Sequence, residues 1–329
     1  MTAPQEGVVG IGNAIVDVLA HTDDAFLARF GLAKGSMTLI DEARAHEIYD
    51  LMGPATEMSG GSVANTVAGF ANLGGAAAYI GRVKDDQLGE IFVHDMRSLG
   101  VDVRLHPAAD GSPTARCHVL IDPAGQRTMQ TYLGACTELS VSDITPNSVG
   151  QPAVILLEGY VWDIAEGPAL AAAAIDIAKK NGSKVALSLS DSFCVKRHRD
   201  AFYEAVCGGV DIVVADEDEV AALLQTDSHE ETMEALGNYD NLFAMTRSEK
   251  GSVIVHGSET VIQPAMPVQN IVDTTGAGDA YTAGFLYGWT AGKSLKESAG
   301  LGTYCATRVI QQIGGRIEPG LMEDYLSGR

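Results

Sequence analysis

The sequence predicts an α/β fold built on a mostly parallel central sheet, and three observations lead there. From residue 154 onward, short apolar runs (154–157, 185–189, 212–214 and 242–245), continuous except for Ser188, alternate with longer segments. A strand reads as an unbroken apolar run when both faces of its sheet are covered, and alternation with helices makes such strands parallel. Between the first two runs, residues 168–180 are rich in alanine and read as one of the covering helices. Finally, 329 residues with 46% apolar and 20% charged side chains can bury a sizeable core. That length suits one large α/β domain with an accessory piece, or two modest domains. Ligands of such sheets sit at the carboxyl ends of the strands, where most of the motifs below fall.

Charge and cysteine content narrow the function classes. The formal net charge is −21, from 22 basic and 43 acidic residues. That balance argues against nucleic acid or an anionic membrane as the main partner. It also requires local donors and metal, not the overall field, to hold any bound polyphosphate. Cys117, Cys136, Cys194, Cys207 and Cys305 are scattered without a C-x-x-C pair. This suits a reducing compartment and excludes a disulfide scaffold or a cysteine zinc site. No apolar run reaches about 18 residues and no basic-then-apolar start is present, so neither a membrane span nor a signal peptide is read. The expected location is the cytoplasm.

Taken in order, residues 8–13 form an apolar strand running into a Gly-rich turn. Gly10 and Gly12 invite a dinucleotide fingerprint, but Ile15 occupies the third glycine position and a second strand, 15–20, follows where a helix is needed. Asp17 lies on that strand and, taken alone, reads as an exposed carboxylate. Helices are expected over 23–30 and 42–51, with a short strand at 36–40 between them. Gly60-Gly61 then precedes a buried helix carrying Asn65, a weak signal by itself. Residues 114–121 and 127–132 are β-rich runs around Asp122-Pro123-Ala124-Gly125, a good hairpin turn.

Further on, Asp216-Glu217-Asp218-Glu219 opens a helix after the 212 strand, and by itself reads as acidic residues favouring a helix N-terminus. Thr246 to Gly251 follows the next strand. The string 288–294 resembles a P-loop but is one residue short and follows a helix, so it is rejected. The most informative stretch is 273–285, expected to follow a strand at 265–272. Gly276 and Gly278 around Ala277 allow a tight turn that aims N–H groups at one point, and the helix beginning there adds its dipole. Such a place attracts phosphate, and Asp279 beside it is placed to take a proton from a hydroxyl. The plainer alternative is an ordinary turn with Asp279 as a helix cap.

The string D-T-T-G-A-G-D-x-x-x-A-G-F at 273–285 resembles the C-terminal signature of the PfkB carbohydrate kinase (ribokinase) family. Gly60-Gly61 with Asn65 resembles that family's N-terminal G-G-x-x-x-N signature, continued by Leu73-Gly74, Tyr79-Ile80-Gly81, Asp85 and Gly89. The resemblance implies a ribokinase-like three-layer sandwich: one domain over 1–329, with a small β-sheet lid assembled from discontinuous segments, roughly 13–60 and 112–135. It implies Asp279 as catalytic base, with Gly276, Ala277 and Gly278 forming the anion hole. Asp17, Asn13, Gly60, Gly61 and Asn65 would bind the substrate. Thr246, Gly251, Asp273 and Arg127 would serve the nucleotide and its phosphates. The family's magnesium motif N-x-x-E falls on residues 216–219: Glu219 matches, but Asp216 replaces the asparagine. Ser248 likewise replaces the first glycine of T-x-G-x-x-G. The implied cofactors are ATP and Mg²⁺, with a K⁺ requirement left open, and the assembly is a monomer or a lid-mediated homodimer.

G-N-x-x-x-D at residues 12–17, G-G-S-x-x-N-T at 60–66 and Leu189 to Cys194 resemble the adenosine-kinase-like branch. The implied reaction is phosphorylation of the primary 5′-hydroxyl of a nucleoside, with adenosine favoured. Tyr132, Tyr160 and Phe193 are available to stack a purine, or to serve the core. The alternatives are a carbohydrate kinase acting on ribose, fructose or 2-keto-3-deoxygluconate, and a sensor of nucleosides or sugars that binds without catalysis.

Overall fold

The computed structural model describes residues 7–268 and 270–327. Its strands are β1 (Val8–Ile11), β2 (Ile15–His21), β3 (Met37–Leu39), β4 (Ala55–Gly60), β5 (Ala77–Ile80), β6 (Asp102–Val103), β7 (Ala115–Ile121), β8 (Arg127–Tyr132), β9 (Val154–Glu158), β10 (Lys184–Ser188), β11 (Ile212–Asp216), β12 (Leu242–Thr246), β13 (Ser252–His256) and β14 (Glu259–Gln263). Nine form one sheet in the order β14-β13-β12-β11-β10-β9-β1-β5-β6. It is parallel from β6 through β12, and β13 and β14 add an antiparallel hairpin at one edge.

Successive side chains of a strand point to opposite faces, and here both faces are apolar. In β9, Val154 and Leu156 join one core cluster with Val67, Tyr281 and Phe285, while Ile155 and Leu157 join another with Trp162 and Phe202. Trp162 and Phe202 stack at 4.5 Å between ring centroids. The two clusters, one on each side of the sheet, explain the continuous apolar runs and make the three layers. Among the described residues, no helix is long and apolar enough to cross a membrane.

The other five strands form a second sheet in the order β3-β8-β7-β2-β4. The 122–125 turn is a hairpin: Ile121 pairs with Arg127, and the Asp122 carboxylate accepts the N–H groups of Ala124 and Gln126, both at 2.8 Å. This sheet had been only partly visible. Strand β4 carries Ala-Thr-Glu-Met-Ser-Gly, with no apolar alternation to announce it, and is held at the sheet edge by backbone pairing to β2.

One element differs from expectation. No strand forms over the described part of 265–272; Gln269 lies outside the described residues. Pro264 and Pro267 have no N–H to give to a ladder. The segment instead forms cavity wall through Ala265, Met266, Pro267, Val268 and Ile271.

Candidate active site

At the turn before the helix Ala277–Thr290, Gly276 is the N-cap with φ 73°, and a Cβ there would lie 2.4 Å from the Gly315 Cα. Only glycine meets both conditions cheaply. The Ala277 N–H turns back to the Thr274 carbonyl at 3.2 Å. Of the three residues expected to form an anion hole, Gly276 and Gly278 therefore keep N–H groups without a partner among the described residues at the dipole's positive end, and the Asp279 N–H joins them.

Asp279 stands in the first turn of this helix. Ser62 Oγ donates to its Oδ1 at 2.6 Å and Asn65 Nδ2 to its Oδ2 at 3.0 Å. Thr66 Oγ1 donates to its backbone carbonyl at 3.2 Å. All three donors belong to the helix Ser62–Asn72, where steps of three and four residues share a face. Burial raises the Asp279 carboxyl to about 6, opposed by the hydrogen bonds from Ser62 and Asn65 and by the charge of Arg316. A carboxylate of that basicity is ionised at neutral pH yet accepts a proton more readily than an ordinary one.

Asp279, Gly278 and Ala277 line a cavity of about 850 Å³ with the carboxyl ends of β10 to β12, represented by Ser188, Asp216 and Thr246. Asp216 and Glu219 cap the following helix reciprocally: the Glu219 N–H donates to Asp216 Oδ1 at 2.8 Å and the Asp216 N–H to Glu219 Oε2 at 2.9 Å. The segment is thus both a helix start and a cavity wall. Burial first, and then the Asp216 charge, push Glu219 up to about 8; Asp216 is also raised, chiefly by burial. Neither forms an ion pair, and no cluster of three metal-ligating side chains exists among the described residues. Two hard oxygen donors without an ionic partner among the described residues, on the wall of this cavity, fit Mg²⁺ held through water and phosphate, its usual mode.

Thr246 ends β12, and Gly251 closes the next turn with φ 87°; both line the cavity. Ser248 keeps a left-handed φ of 49° although it is not glycine. Such a conformation costs about 1–2 kcal/mol with a side chain, while glycine's extra chain entropy costs roughly 0.5–1 kcal/mol. Ser248→Gly is therefore expected to stabilise the fold by ~0.5 kcal/mol, visible as a higher denaturation midpoint. A lower midpoint would show that the serine hydroxyl outweighs the strain.

The remaining expected residues gather on the side of the second sheet. Asp17 on β2 packs against Gly60, where a Cβ would lie 2.4 Å from its Oδ2. Burial raises its carboxyl to about 6; Arg316 and Arg127 pull it down, and Asp279 pushes it up. Gly61 has φ 95°, and its Cβ would meet the Asn13 carbonyl at 2.3 Å. Asn13 is buried, and its side-chain Oδ1 has no hydrogen-bond partner among the described residues. Arg127 Nη2 pairs with Asp273 Oδ2 at 2.5 Å, and Asp273 also accepts the N–H groups of Thr275 (3.1 Å) and Gly314 (2.9 Å). Neither Arg127 nor Asp273 lines the cavity, and neither do Tyr132, Tyr160 or Phe193.

Two charged residues escaped the sequence reading. Glu158, 1% exposed at the end of β9, accepts the N–H groups of Asn13 (3.3 Å) and Val63 (3.0 Å). Burial lifts it to about 8. A glutamate directly after Val154 to Leu157 was the available signal. Arg316 donates from Nη2 to Ser59 O at 2.6 Å and Ser59 Oγ at 3.1 Å; nothing local marked it.

Comparison with known proteins identifies the family and the fold. The family model described as pfkB family carbohydrate kinase matches residues 30–319. An adenosine kinase structure from Sinorhizobium meliloti is 47% identical, with a TM-score of 0.91 and coverage of 99% of this chain and 100% of that one. The structure of a probable sugar kinase from Rhizobium etli CFN 42 is 43% identical, with a TM-score of 0.91 and coverage of 99% of both chains. Adenosine kinase of Saccharomyces cerevisiae is 27% identical over 334 residues, covering 95% of this chain and 96% of that protein.

Proposed function

The chain belongs to the pfkB family of carbohydrate kinases, and from that membership we propose that it transfers the γ-phosphate of ATP to the 5′-hydroxyl of adenosine. The observation that carries the chemistry is Asp279, fixed by Ser62 and Asn65 beside free backbone N–H groups at a cavity large enough for a nucleotide. Adenosine is preferred over other acceptors because the 47% identical structure is that of an adenosine kinase.

In this reading Asp17, Gly61 and Asn65 hold the ribose, with Asn13 and Gly60 shaping that side. Asp279 accepts the 5′-hydroxyl proton as the oxygen attacks phosphorus. The N–H groups of Gly276, Gly278 and Asp279 stabilise charge on the transferred oxygens; such donors act most strongly when already oriented. Ala277 contributes by closing the turn. Thr246 and Gly251 border the nucleotide. Mg²⁺, held by Glu219 and Asp216, would offset phosphate charge when bound. The second sheet, which carries Asp17 and Arg127, acts as the lid of a single domain, and Arg127 turns from Asp273 to phosphate as it closes.

ATP consumption with Mg²⁺ and K⁺ present, over adenosine, inosine, ribose, fructose and 2-keto-3-deoxygluconate, tests the acceptor. Strong turnover with adenosine alone is expected. Turnover on a sugar instead would replace the acceptor while keeping Asp279 as base, in line with the probable sugar kinase similarity. Adenosine binding without ATP consumption would make the protein a sensor.

A further inference from the structure

We infer that Arg316 is the internal countercharge of this active site, a positioning residue that clasps β4 at the Gly60-Gly61 turn and keeps Asp17 and Asp279 ionised side by side. The inference rests on Asp279 being the base. Three observations lead to it.

The first is an unusual lack of partners. Among the described residues Arg316 forms no ion pair, and its Nε is buried without a hydrogen-bond partner. Its hydrogen bonds go to neutral groups: the Ser59 carbonyl and hydroxyl, with longer contacts to Ala64 O and Met96 Sδ at 3.4 and 3.5 Å. A guanidinium removed from water with no carboxylate in contact is costly unless nearby charge offsets it.

The second is where the offsetting charge lies. The acids acting on Arg316 are Asp17 on β2, Asp95 on the helix Gln87–Ser98, Asp279 and the Tyr79 phenol on β5. Arg316 is the largest favourable charge on Asp17 and, among the described residues, the one favourable charge acting on Asp279. Other groups face the same space. Arg127 acts on Asp17 from β8, and the Asp279 charge in turn opposes ionisation of Glu158 and Glu219. Burial lowers Arg316 only to about 10, so it stays charged at neutral pH.

The third is mechanical. Ser59 is tied on three sides: its N–H donates to Asp95 Oδ2 at 2.9 Å, and Arg316 takes its carbonyl and hydroxyl. Gly60, which abuts Asp17, comes next in the chain, followed by Ser62 and Asn65, the donors to Asp279. One guanidinium therefore fixes the turn that positions both carboxylates and supplies the field that keeps them charged.

The test is the pH dependence of kcat/KM in the full-length protein, using the acceptor found in the panel above. Wild type should lose activity as pH falls through about 6, where Asp279 takes up a proton. Arg316→Gln keeps an amide donor for Ser59 but removes the charge, and should move that limb up by about one pH unit or more. Arg316→Lys restores the charge and should return the limb to within ~0.3 unit of wild type. Turnover that falls in Arg316→Gln with the limb unmoved would overturn the countercharge role.

A second measurement needs no activity, so it separates failure of this inference from failure of the kinase reading. Arg316→Gln should lower the urea midpoint at pH 7.5, and adding Asp17→Asn should recover at least about half of the loss, since removing one carboxylate relieves the uncompensated repulsion. Additive losses, or a double variant that does not fold, would overturn it.

Discussion

Asp279→Asn is expected to lower turnover by at least ~100-fold, the usual scale for a positioned base, while leaving the fold intact. The amide is isosteric, and it can still accept from Asn65 Nδ2 and engage the Ser62 hydroxyl, which now hold the carboxylate at 3.0 and 2.6 Å. What it cannot do is take a proton from the acceptor hydroxyl. The same variant should be more stable than wild type at pH 7.5. The Asp279 carboxyl stands at about 6 in the folded chain against the ordinary 3.8 of a free aspartate. Between those values the folded state holds a proton that the unfolded state has released, so this group's contribution to stability falls as pH rises through the window. Above it the full cost of ionising a buried group remains. Removing that cost should stabilise by up to ~3 kcal/mol at pH 7.5 and by almost nothing below about pH 4. Urea midpoints at the two pH values, with initial rates at pH 7.5, decide both parts. Near-normal turnover would remove Asp279 as the base; a variant less stable at both pH values would mean that its hydrogen bonds outweigh its burial.

Gly276→Ala is expected to cut kcat/KM by a similar factor for a steric reason. A Cβ at φ 73° is strained by ~1 kcal/mol, and this one would also lie 2.4 Å from the Gly315 Cα, a backbone atom with no side chain to move aside. The chains on either side must separate. Gly315 lies between Gly314, whose N–H binds Asp273, and Arg316, which clasps Ser59, so the displacement reaches both supports of the site. A shift near 1 Å in the N–H groups facing the phosphate can cost on the order of 100-fold, with a stability loss of ~2 kcal/mol or more from the forced contact. Steady-state kinetics with varied ATP and a denaturation midpoint check this. Turnover within threefold of wild type would show that these N–H groups do not bear on the transferred phosphate.

Much of the architecture was legible because its causes are local. Residues 154–157, 212–214 and 242–245, with 185–189 broken only by Ser188, announced buried parallel strands through their apolar character, and the core clusters on both faces explain why. The hairpin at Asp122 was legible from its turn residues. Strand β4 and the β13–β14 hairpin escaped notice: β4 is polar and held by backbone pairing, and β14 is largely exposed. Residues 265–272 looked extended but contain Pro267 and follow Pro264, and no strand formed.

The sequence by itself determined the α/β class, the glycine turn at 276–278 with its acid, and the second glycine turn at 60–61, because a φ near 73° or 95° and a helix start leave a mark on adjacent residues. Only the tertiary structure decided that Asp279 is held by Ser62 and Asn65, that the Ala277 N–H is spent on its own turn, that Arg127 pairs with Asp273, and that Glu158 and Arg316 lie within the site. Glu158 reaches Asn13 across 145 positions of chain, and Arg316 reaches Ser59 across 257. Proximity of that kind, and the shifts in acidity it produces, depend on how the sheets and helices pack, and no window of neighbouring residues carries that information.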